Sequence, residues 1–154
     1  MSDEVLSVPV GLTGEFIERF RVHACPDRFP YRPTDYLTFR RTGGFMDEIF
    51  RLDEDYIFVF DPFNDAQLEM HKSEKFFKRL QGYVQARRDQ CSFSSEPYRF
   101  YVLFEEDSIQ LRHSPAMARN PQGHCYFTIE ALTAGKTIVQ VASKKVKKAW
   151  QPNF

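Results

Sequence analysis

Short runs of aromatic and β-branched residues, "DYIFVFDP" (55–62) and "YRFYVLFE" (98–105), constrain this fold more than any other feature. Each run is too short for a stable helix and closes on a proline or a charge, so each predicts a strand. The bias extends to the whole chain. Sixteen Phe and seven Tyr against one Trp make 16% of the 154 residues aromatic. Rings at that density suit half-buried pleats, whereas a helical bundle relies on Leu and Ala. The length matches one domain with a core that needs no staples.

The periodicity divides the chain further. Residues up to Gly11 read as an arm or edge segment. "EFIERFRVHAC" fits both a helix (Leu12, Phe16, Phe20) and a strand (Phe20, Val22, Ala24); Pro26 and Pro30 behind it favour a strand over 20–25. Strands follow over 35–41, 45–52 and 55–62, with Thr42-Gly43-Gly44 as a turn. The strand over 55–62 is apolar on both faces and is expected to be central. Asn64 with Gln67 three residues on resembles a capping box, opening one long amphipathic helix over 65–88 with a break near Ser73. Phe76, Phe77, Leu80 and Tyr83 form its core-facing stripe. "YRFYVLFE" and "SIQLRH" read as a hairpin turning at Glu106 and Asp107. "HCYFTIEALTAGKTIVQV" reads as strand, short helix and strand, with Thr128 as N-cap of 129–133 and Gly135 as the stop. The expected class is α+β: a small curved sheet or β-barrel of six or seven short strands with one long helix. A single domain spans 1–154, with its core over about 20–141 and a basic tail over 144–154.

Charge and cysteine usage exclude several roles. Lys plus Arg and Asp plus Glu number 21 each, so the net charge of zero argues against a generic nucleic-acid coat. Acidic clusters at Asp53-Glu54-Asp55 and Glu105-Glu106-Asp107 and a basic end at Lys144, Lys145, Lys147 and Lys148 give local fields of opposite sign. No run approaches the roughly 20 apolar residues of a membrane helix. The acidic start Met1-Ser2-Asp3-Glu4 lacks the features of a secretory signal. Cys25, Cys91 and Cys125 then read as reduced thiols of a cytoplasmic protein.

Catalytic and metal motifs are missing. His23, Cys25 and His124 form no ligand pair with finger or ribbon spacing; small apolar cysteines and ordinary histidines are the preferred reading, and no metal or cofactor is expected. Asp61, Asp65, Glu69 and Lys72 lack the acid-before-lysine spacing of metal-dependent nucleases, and acids at a helix start are explained by its dipole. Gly43-Gly44 is too short to cradle a phosphate.

What remains is a pattern of alternating aromatic and basic residues. In "RPTDYLTFRR" (32–41), alternation puts Tyr36, Thr38 and Arg40 on one face and Leu37, Phe39 and Arg41 on the other. If Leu37 and Phe39 enter the core, Tyr36 and Arg40 lie outside, where a ring can stack on a base and a guanidinium can hold its phosphate. Arg99, in a similar run, and Arg112 are the candidate neighbours of that anion- or nucleic-acid-binding pair.

The stretches around Tyr36 and Phe39, Arg99 to Tyr101, and Tyr126, Thr128, Leu132, Gly135 and Thr137 resemble a PUA-like (EVE/ASCH-like) accessory domain found beside nucleases and other bacterial defence proteins. The resemblance covers about 20–141. It implies a PUA-like β-barrel that binds RNA or a modified DNA base in a cleft between strands. The expected function is therefore a non-catalytic nucleic-acid or nucleotide-binding module of a bacterial defence or regulatory system. The alternative is an antitoxin or immunity-type protein that meets a basic partner through Asp53, Glu54, Asp55, Glu105, Glu106 and Asp107. A small-molecule enzyme is third.

Overall fold

Prolines and left-handed turns cut the apolar runs into short elements. The computed structural model describes residues 3–119 and 123–141, so the basic tail over 144–154 lies outside the described residues. In chain order these are β1 (Glu4–Pro9), α1 (Gly14–Phe20), β2 (Val22–Pro26), β3 (Tyr36–Arg40), β4 (Met46–Arg51), β5 (Ile57–Phe60) and α2 (Asp65–Glu69). They continue with α3 (Phe77–Gln90), β6 (Tyr98–Val102), β7 (Ile109–Gln110), β8 (Ala116–Met117), β9 (Cys125–Thr128), α4 (Ile129–Thr133) and β10 (Ile138–Val139). The class is α+β, as expected. The strands form three sheets, and among the described residues none closes into a barrel.

The chain divides into two compact units. One combines Met1–Gly11, Pro30–Arg51 and Glu106–Phe154; the other combines Leu12–Phe29 and Leu52–Glu105.

The first unit holds a five-stranded sheet in the order β7-β4-β3-β1-β9 and the short parallel pair β8 and β10. β1 runs parallel to β3 and antiparallel to β9. The register puts Val5, Phe127, Met46 and Ile49 on one face, where they pack with Leu111, Leu132 and Val139. Thr128 caps α4 as expected, its Oγ1 accepting the Ala131 N–H at 3.0 Å. The turn at 42–44 also forms, with Gly43 and Gly44 at φ 90° and 82°, a region open to glycine at little steric cost.

The second unit packs α1 and α3 on a three-stranded sheet in the order β2-β6-β5. Phe76, Leu80, Tyr83 and Val84 enter its core with Phe60 and Phe100, whose rings stack at 4.1 Å, and Phe77 packs against it. Tyr83 and Arg87 also close the outer edge of β2. The Ala24 N–H donates to the Tyr83 hydroxyl at 3.1 Å, and Arg87 Nη1 donates to the Ala24 carbonyl at 2.8 Å. The outer edge of β5 is closed at both ends. The Ile57 N–H bonds the Glu54 carbonyl, and the Asp61 N–H donates to Gln67 Oε1 at 2.7 Å.

Several expectations need correction. The N-terminal segment is no arm, since β1 lies inside the five-stranded sheet. Both readings of "EFIERFRVHAC" hold in succession: a helix ends at Phe20, Arg21 turns left-handed at φ 55°, and a strand starts at Val22. The run over 55–62 opens as a 3-10 turn over Glu54–Tyr56 and supplies an edge strand; β6 is the central one. No hairpin joins β6 to β7, because β6 pairs with β2 and β5 while β7 pairs with β4. The expected break near Ser73 is present, as turns over 70–76 that part α2 from α3.

Candidate functional site

Arg40 contradicts the exposed placement its alternation suggested. Its face of β3 is the core face of the first unit, shared with Val5 and Ser7 of β1, and the side chain is only 1% exposed. Thr38 and Ser7 beside it are fully buried. The guanidinium Nη2 donates to the Ser7 carbonyl at 3.4 Å and to the Gly123 carbonyl. Burial pulls its pKa below the ordinary arginine value, opposed by the Cys125 thiol and the Tyr31 hydroxyl. Arg40 thus fixes the corner that leads into β9.

The other expected residues scatter. Tyr36 is half-buried and packs against the core of the first unit. Arg112 is exposed in the turn after β7. Arg99 belongs to the second unit, where Asp27 holds it: Nε donates to Asp27 Oδ1 at 3.1 Å and Nη2 to the Asp27 carbonyl at 2.8 Å.

A different set of residues converges in the first unit. The segment after Pro30 lies along β9, with the Arg32 N–H donating to the Tyr126 hydroxyl at 2.9 Å. The Arg32 guanidinium sits 4.3 Å from the centroid of the Tyr126 ring and pairs with Glu4 of β1. Tyr31 is thereby set edge-on to His124 at 4.7 Å, and His124 is edge-on to Tyr126 at 5.6 Å. His124 stands just before β9, two residues from Tyr126, and the two rings meet there. Tyr31, Arg32 and His124 are half-buried, so the cluster meets solvent along one side. Burial raises the Tyr126 pKa, so the phenol stays protonated near neutral pH. The result is a row of rings bordered by guanidinium groups.

Sequence reasoning missed Tyr31 and Arg32, which it read as part of a loop, and weighed His124 only as a metal ligand. The available signal was Tyr-Arg held between Pro30 and Pro33.

The remaining polar candidates have internal duties. His23 and Cys25 are buried on β2 of the second unit, and among the described residues no group of three His, Cys, Asp or Glu is placed to hold a metal ion. Asp61 Oδ1 accepts the Phe63 N–H at 2.9 Å, and Asp65 pairs with Arg88 at 2.9 Å. Asp53 accepts the Asp55 N–H, Glu105 pairs with Arg79 at 2.9 Å and Asp107 with Arg51 at 3.8 Å. No helix among the described residues is long and apolar enough to cross a membrane.

No family model and no curated protein matches this chain. Among solved structures, it is similar to ASCH from Zymomonas mobilis at 17% identity and a TM-score of 0.49, over 87% of this chain and 94% of that one. A serine-to-alanine variant of that protein gives 18%, 0.46, 82% and 89%, in the same order. A tyrosine-to-phenylalanine variant gives 15%, 0.44, 82% and 91%.

Proposed function

We propose that the chain is a nucleic-acid or nucleotide-binding module whose contact surface is formed by Tyr31, His124 and Arg32, with the buried Tyr126 ring packed against them. The observation that carries this reading is the edge-on ring packing beside a guanidinium on a partly exposed sheet margin. Rings held at fixed angles accept a base by stacking, and neighbouring cations hold its phosphate. Arg40 supports the row from below through the Gly123 carbonyl rather than touching the ligand, and exposed Arg112 is a further phosphate contact. Arg99 and Tyr36 are left out: Arg99 belongs to the second unit, and Tyr36 shares the sheet face of Val5 and Phe127, opposite Tyr126. The resemblance extends the proposal to a cytoplasmic role in bacterial defence or regulation.

Binding to fluorescent single-stranded RNA and DNA, measured by polarisation across salt, tests it. The affinity should fall with salt, and Tyr31→Ala should weaken it by about 1–3 kcal/mol, the range of one base–aromatic stack. Absence of salt-sensitive binding to RNA, DNA or nucleotides would end this reading.

A further inference from the structure

We infer that the lysines of "KKVKK", Lys144, Lys145, Lys147 and Lys148, bind the phosphates flanking a base seated on this site, so that the ligand is a nucleic-acid strand rather than a mononucleotide. The inference rests on the proposed nucleic-acid reading and adds the phosphate contacts and the ligand class. Its ground is a charge balance that divides sharply along the chain. Four of the 21 basic residues and none of the 21 acidic ones follow Val141, so residues 1–141 hold 17 cations against 21 carboxylates. That part of the chain has a net charge of −4, and the last 13 residues have one of +4.

The site itself offers rings more than surplus charge. The Arg32 guanidinium is matched by Glu4, and that of Arg40 holds the Ser7 and Gly123 carbonyls. A strand laid on Tyr31 and His124 brings its phosphate charges to a body that is already negative, which opposes binding unless cations meet them. The chain delivers those cations close by. β10 runs parallel to β8 with Val139 abreast of Met117, and Met117 Sδ lies 3.9 Å from Sγ of Cys125, the residue between His124 and Tyr126. The last described strand thus ends beside the segment that carries the rings. Lys144 to Lys148 follow Val141 within seven residues, a span of at most about 25 Å even at full extension. Four ammonium groups within five residues, with no acid among them, suit contact with successive phosphates, which positions a strand without reading its sequence.

The test measures a fluorescent single-stranded RNA and a fluorescent nucleoside monophosphate by polarisation across a salt series. The unmodified protein should bind the RNA at least about tenfold tighter than the monophosphate, and a variant carrying K144Q, K145Q, K147Q and K148Q should lose most of that gap. Its RNA salt slope should be shallower by about 0.7 for each lysine that meets a phosphate, up to about 3 in all. Arginine at the same four positions should keep the slope. A control carrying K72Q, K75Q and K78Q, which removes three exposed lysines of the second unit, should keep it too, and circular dichroism should show that every variant is folded. An RNA slope unchanged in the four-Gln variant overturns the inference and leaves the nucleic-acid reading intact. So does equal affinity of the unmodified protein for RNA and monophosphate, or a matching loss of slope in the control, which would assign the effect to net charge. No binding of RNA, DNA or a nucleotide by the unmodified protein overturns both.

Discussion

Arg40 is held like a core residue, and its chemistry follows from that. Its hydrogen bonds go to two main-chain carbonyls, of Ser7 and Gly123, that lie 116 positions apart in the chain and meet only when β1, β3 and the entry to β9 are assembled. Removing the guanidinium strips the buried Ser7 carbonyl and the Gly123 carbonyl of a charged donor and leaves a void. Arg40→Ala should therefore lower unfolding stability by roughly 3 kcal/mol, read from the urea midpoint, where an exposed arginine would cost under about 0.5. Alternation along β3 was readable in the sequence, and it did separate Leu37 and Phe39 from Thr38 and Arg40. It could not reveal that both faces are covered, for Leu37 and Thr38 alike are 0% exposed. A polar residue on a strand buried on both sides looks the same in sequence as one on a solvated face.

At the scale of elements, α3 is attached by rings and by one hydroxyl. Tyr83 is 0% exposed and packs edge-on to Phe16 and Phe100 at 6.4 Å each. Its oxygen accepts from both the Ala24 N–H and Arg87 Nη1. Tyr83→Phe keeps the ring and orphans an amide of β2, so stability should fall by about 1–3 kcal/mol while the circular dichroism spectrum is unchanged. An unaltered urea midpoint would mean that water replaces the hydroxyl. Features set by neighbours in sequence were legible: the Thr128 cap, the turn at 42–44 and the stripe of Phe76, Leu80 and Tyr83. Strand partners were not. Whether "YRFYVLFE" pairs forward with "SIQLRH" or back with "VHACP" depends on contacts far apart in the chain, and local patterning is silent on that choice. Of the two-residue strands, β7 and β10 fall inside stretches that read as strands, whereas β8 at Ala116–Met117 carries no periodic signal.

For the whole molecule, the buried His23 links folding to pH. Loss of hydration, with the Arg87 charge adding to it, lowers its pKa to about 3. An unfolded chain would titrate the same group near 6.5, so between the two values it binds more protons than the folded one. The stability held by neutral His23 is complete above about pH 6.5 and is lost as pH falls toward about 3, by up to about 1.4 kcal/mol per pH unit. Urea midpoints at pH 7 and pH 4.5 should differ accordingly, and His23→Gln should flatten the difference; an equal decline in both proteins would assign it to carboxylates instead. The edge of β5 has a consequence of another kind. "IFVF" is the sort of apolar, uncharged segment that recruits strands from other chains. Main-chain bonding of Ala24 to Tyr83 and Arg87 sets the pairing phase across β6, which turns the N–H groups of Ile57, Val59 and Asp61 outward. Two of the three are taken by Glu54 and Gln67. Of these three amides a foreign strand would find only that of Val59 untaken, which shortens the ladder it could build along this apolar segment.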